Sequence, residues 1–159
     1  MNKTSKYFLA FLVFAIAGVL YAGFVGRQQI LQRKDDYIVY NEIQTSIAKE
    51  EGLQDSLEKL DELQKKYKDS YVFNIDKGFI YNSLDEQEKS QKEFETAFKK
   101  NNGLYKNVSL LLVYAETAHI NGYDLHAKEA ISQAQMIGIP EEYSNVVDKI
   151  ISEIDKVKE

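Results

Sequence analysis

The chain has 159 residues, 20 basic and 25 acidic, with a net charge of −5 and no cysteine. An acidic balance leaves no basic surface to meet a phosphate backbone, so nucleic acid is not an expected partner. Without cysteine there is no disulfide, no thiolate nucleophile and no acylated lipoprotein cysteine. A single proline and eight glycines suit helices joined by short turns.

Residues 1–6 form a short basic tail with Lys3 and Lys6. Residues 7–26, YFLAFLVFAIAGVLYAGFVG, carry no charge. As a helix rising about 1.5 Å per residue they span about 30 Å, the thickness of a bilayer's hydrocarbon core, which predicts an uncleaved transmembrane anchor. A cleavable signal peptide is the alternative. Ala15-Ile16-Ala17 has the small-x-small form of a cleavage site, but cutting there leaves only the eight apolar residues Tyr7 to Phe14. Lys3 and Lys6 nearly balance Arg27, Arg33 and Lys34 across the run. The short basic N-terminus gives the expectation of a single-pass cell-membrane protein, its N-terminus cytoplasmic and its domain outside. Gly18, Ala22 and Gly26 recur every fourth residue, on one helical stripe where a partner helix can approach closely.

After residue 26 the chain holds 18 basic and 25 acidic residues, a net charge of −7, in enough length for one domain with a modest core. Residues 27–36 read as a helical juxtamembrane linker. Beyond them the chain repeats. Tyr37 aligns with Tyr71 at a spacing of 34; Ser56 then meets Ser90, Leu60 meets Phe94 and Leu63 meets Ala97. A third unit aligns from Val108 after three extra residues, with Ala127, Ile131 and Ala134 in the same places. Small, large and small residues at spacings of four and three mark a helix face that packs close to its neighbour. A period near 34 residues is the signature of helix-turn-helix repeats.

These residues resemble the tetratricopeptide-repeat (TPR) family. Leu111, Tyr114, Ala115 and Ala118 fill its first-helix places in the third unit, followed by Ala127, Ile131, Ala134 and Pro140. Gly78, Tyr81, Ser90, Phe94 and Ala97 match in the second unit, where Lys77 replaces the family's leucine. Tyr40, Ile43, Ile47, Ser56, Leu60 and Leu63 match in type in the first. The expected architecture is all-α: a transmembrane helix, then an α-solenoid of about three helix pairs over residues 37–140 (37–70, 71–104 and 105–140), then a capping helix in 141–159. Helices are expected near 37–50, 54–68, 71–83, 86–101, 105–121, 124–137 and 141–157, divided by turn signals such as Asn101-Asn102-Gly103 and Asn121-Gly122. In the last, Tyr143, Val146, Val147, Ile150, Ile151 and Ile154 line one face, as a solenoid cap requires.

The resemblance implies a concave face, built from the first helix of each pair, that takes a peptide or helix of a partner protein. Its groove positions would be Asn41, Thr45, Ile75, Phe79, Asn82, Leu112, Glu116 and His119. Leu112 and Glu116 stand where a carboxylate clamp wants basic residues, so an apolar ligand segment is the better match. No catalytic constellation is evident, and no cofactor or metal is expected. His119 and His126 are the only histidines and are separated by a turn, and His126 with Glu129 makes only two metal ligands. The expected function is a membrane-tethered interaction module, a scaffold or chaperone-like accessory of a membrane complex, and not an enzyme. The alternative is a structural subunit of a homo-oligomeric membrane assembly.

Overall fold

A computed structural model describes the backbone of residues 3–156 and the side chains of residues 21–156. Among the described residues every regular element is helical: α1 (Lys3–Lys49), α2 (Leu53–Lys66), α3 (Val72–Ser83), α4 (Gln87–Lys100), α5 (Val108–Ile120), α6 (Asp124–Ile137) and α7 (Ser144–Lys156). Short 3-10 turns at Asn102–Lys106 and Glu141–Tyr143 precede α5 and α7.

The expectation of an N-terminal transmembrane helix is corrected. Among the described residues no helix is long and apolar enough to cross a membrane. The described side chains of α1 begin at Tyr21, and Arg27, Arg33, Lys34, Asp35 and Asp36 follow. The uncharged stretch Tyr21–Gly26 rises about 9 Å, a third of the hydrocarbon thickness. The side chains of residues 7–20, the remainder of the expected span and the part that holds Gly18 of the small-residue stripe, lie outside those described. Ala22 is exposed, Gly26 is half-buried, and a Cβ at Gly26 would meet nothing within 4 Å.

The chain divides into two compact units, Met1–Glu42 and Ile43–Glu159, with the boundary inside α1. In the first, α1 exposes Tyr21, Phe24, Ile30, Leu31, Tyr37 and Ile38. In the second, the helices pack in chain order: α2 on α3, α3 on α4, α4 on α5, α5 on α6, and α7 on both α5 and α6. The pairs α3–α4 and α5–α6 are the most intimate.

The repeated pattern at spacings of four and three is the buried face of α2, α4 and α6. Ser56, Leu60 and Leu63 are 1, 0 and 3 % exposed; Ser90, Phe94 and Ala97 are all 0 %; Ala127, Ile131 and Ala134 are 0, 2 and 0 %. Opposite Phe94 the backbone of α3 comes close because Gly78 has no side chain. A Cβ there would lie 2.5 Å from Phe94 Cε1. Ser90 Oγ donates to the Gly78 carbonyl at 2.8 Å, which pins the same crossing with a buried hydrogen bond. Phe79 then meets Phe94 edge-on, with ring centroids 5.4 Å apart.

Lys77 is 7 % exposed, and its Nζ reaches Asp61 and Gln64 on α2. Its stem fills the apolar position while its ammonium finds two acceptors at the edge, so the charge costs little. Helix α5 begins at Val108 instead of 105, because the turn after α4 continues as the 3-10 segment Asn102–Lys106. Asn101 Oδ1 accepts from Gly103 N at 2.9 Å, and Asn107 Oδ1 accepts from Leu110 N at 3.0 Å as the N-cap. That segment accommodates the three extra residues between the second and third repeats. Likewise α7 begins at Ser144, after the 3-10 turn that follows Pro140.

Replacing Gly78 with alanine forces a methyl into the fully buried Phe94 ring. The substitution is expected to cost about 1–3 kcal/mol, read as a lower midpoint in urea unfolding at unchanged slope. Asn107→Ala removes the α5 cap and is expected to cost about 1 kcal/mol in the same assay.

A cleft between α4, α5 and α6

Helices α4 and α6 both pack on α5, and a cleft of about 450 Å³ lies between them. Helical spacing aligns its walls: Glu95 and Lys99 on α4 face His126, Glu129, Ala130 and Gln133 on α6. Leu111 and Tyr114 of α5 and Tyr105 of the 3-10 turn complete the lining. A second cavity of about 430 Å³ adjoins it along α4, lined by Glu88, Gln91, Lys92, Glu95, Tyr123 and His126. Glu95 and His126 belong to both.

The aromatic lining is held by Phe98, which lies outside the lining, and by contacts among its own rings. Tyr105 stacks on the buried Phe98 at 4.7 Å, and Phe98 meets Tyr114 edge-on at 5.4 Å. Tyr123 stacks on His126 at 5.8 Å with the rings 11° apart. Gln133 Nε2 donates to the Tyr105 carbonyl at 3.4 Å, linking α6 to the turn.

Glu95 is the polar centre. Its Oε1 accepts from Gln91 Nε2 at 3.0 Å and from the Tyr114 hydroxyl at 3.3 Å, and His126 Nδ1 lies 4.0 Å away. Burial and then the Glu95 carboxylate push the Tyr114 hydroxyl well above the usual tyrosine range, so it stays a neutral donor. Among the described residues no group of three histidine or acidic side chains converges as metal ligands.

The groove positions expected from the sequence lie elsewhere. Asn41 and Thr45 are exposed on α1. Ile75 and Phe79 on α3 are half-buried against the core, and Asn82 is half-buried one turn on. Leu112 is 3 % exposed and shares a core cluster with Val147, Ile150 and Ile154 of α7. Glu116 is half-buried. His119 is tied on both ring nitrogens, Nδ1 to Asp124 at 2.7 Å and Nε2 to Glu153 of α7 at 3.4 Å. Leu112 and His119 therefore serve the junction with the last helix and leave no room there for a ligand. Of the cleft residues, the sequence reading singled out His126 and Glu129 as a spaced pair but missed Glu95, because its importance comes from neighbours on α5 and α6. The available signal was the run Glu88, Gln91/Lys92, Glu95 and Lys99, a polar stripe flanking the apolar seam of α4.

Comparison with protein-family models, with curated proteins and with solved structures returns no match.

The raised pKa of Tyr114 has a signed consequence. Above pH about 10, where an unfolded tyrosine loses its proton, the folded state still holds it, so stability falls as pH rises. Below that pH the contribution is fully present. Chemical denaturation of the wild type and Tyr114→Phe between pH 8 and about 11 is expected to show a shallower alkaline loss in the variant.

Proposed function

We propose that this chain is a protein-interaction module of the tetratricopeptide-repeat kind, which binds a segment of a partner protein in the cleft between α4 and α6. The observation that carries the reading is the cleft itself: about 450 Å³, walled by two helices, floored by a third and fitted with tyrosines held in place from behind. Exposed aromatic side chains with little conformational freedom are the usual anchors of protein interfaces. Tyr105, 46 % exposed, lines it, and Tyr123, 53 % exposed, lines the adjoining cavity. The spacing of Ser56, Ser90 and Ala127 and the burial of their neighbours support the family reading. Its role is binding without chemistry, and the acidic surface suits protein partners over nucleic acid.

A second reading, a structural subunit that assembles with copies of itself, is favoured by the six large apolar residues that α1 exposes between Tyr21 and Ile38. Light scattering on the full chain separates the two; a strict monomer sinks self-assembly.

The binding reading is tested with a photo-crosslinking amino acid placed singly at Tyr105, Tyr123 or Asn82 in the producing cells. One protein is expected to crosslink from Tyr105 and Tyr123 and not from Asn82 on α3. Adducts from Asn82 alone would move the site to the α3 face, and adducts from no position would remove the reading.

A further inference from the structure

The occupant of the cleft is legible from its charge and ring geometry. We infer that the partner segment presents a cationic side chain, arginine or lysine, to Glu95 and Glu129 among the rings of Tyr105, Tyr114 and His126. This rests on the reading of the cleft as a protein-binding site.

Glu95 uses only one of its oxygens. Oε1 takes the hydrogen bonds of Gln91 and Tyr114, while Oε2 meets no donor among the described residues. The side chain is 32 % exposed, so the open oxygen sits in a partly desolvated place where an ion pair is worth more than on open surface. Glu129, on the facing helix, makes no ion pair or hydrogen bond among the described residues and adds a second carboxylate to the same cavity. A guanidinium or ammonium entering there gains two acceptors and lies against aromatic rings, whose faces carry negative charge.

The two lysines at the cleft do not already serve this role. Lys92 and Lys99 stand three before and four after Glu95 on α4, and both are exposed. Neither comes within ion-pair distance of Glu95 among the described residues. An acidic occupant would find these lysines only at the rim and would face Glu95 at the centre. Burial first, and then the Glu95 carboxylate, raise the affinity of the Tyr114 hydroxyl for its proton.

The test uses the full ¹⁵N-labelled chain and amide resonances of Tyr114 and His126. The probes are acetyl-Gly-Arg-Gly-amide, the lysine and glutamate counterparts, and the citrulline peptide, which keeps arginine's shape without its charge. The arginine and lysine peptides are expected to shift both resonances saturably, and the citrulline peptide to bind at least about fivefold more weakly. Glu95→Gln is expected to weaken the arginine peptide by a similar factor, Glu129→Gln by less, and Glu62→Gln on the exposed face of α2 not at all. Circular dichroism of each variant confirms that the fold is kept. Equal binding of arginine and citrulline peptides, tighter binding of the glutamate peptide, or no shift with any cation overturns the inference. A partner crosslinked at Tyr105 together with no preference for cations would sink the cationic occupant alone, whereas the absence of any crosslinked partner sinks the interaction reading.

Discussion

The close approach of paired helices governs the second unit, and that approach is set where a side chain is missing. At Gly78 the backbone of α3 lies against the Phe94 ring with no space for a methyl group, and Ser90 Oγ fixes the crossing through the Gly78 carbonyl. In the next pair Ala115 takes the place of Gly78, and Ala127 and Ala134 flank Ile131, all buried to within 2 %. Each seam sets the level of the next helix. Helix α5 is held against α6 by small residues and α4 lies on α5, and the cleft between α4 and α6 is lined by the larger side chains of Leu111 and Tyr114. The cleft is thus a consequence of seam chemistry as much as of the residues that line it.

The seams were legible in the sequence because they depend on local spacing. Ser56-Leu60-Leu63, Ser90-Phe94-Ala97 and Ala127-Ile131-Ala134 share one pattern, and every member is buried. The shift from a 34- to a 37-residue period was legible too, and the 3-10 turn with its Asn101 and Asn107 caps gives its physical cause. Features that depend on a distant partner were not legible. Lys77 reads as a defect until α2 brings Asp61 and Gln64 to its ammonium. His119 reads as a groove residue until α7 places Glu153 against it. Glu95 reads as one of many exposed carboxylates until Tyr114 and His126 arrive from two other helices. The N-terminal run is a different case. Its hydropathy predicts a membrane span over 7–26, yet the described side chains of α1 start at Tyr21 and soon become charged, and among the described residues there is no such span.

The last helix decides which face of the stack stays open. Helix α7 buries Val147, Ile150 and Ile154 in the same core as Leu112, and His119 bridges Asp124 and Glu153 at one end of α5. Tyr143 reaches Ser109 near the other, at 3.3 Å. Helix α5 is therefore engaged near one end by α7 and near the other by the turn that precedes α7, so a ligand that sought Leu112 and His119 would have to displace an amphipathic helix with three buried anchors. Burying one such side chain contributes about 1.5–3 kcal/mol, so that displacement costs more than a short peptide recovers from a shallow groove. The α4–α6 side carries no such cover among the described residues. Its tyrosines are already ordered by Phe98 and His126, so binding there asks for little new ordering of the receptor. A partner segment that engages the third helix pair thus meets the lower barrier at Glu95.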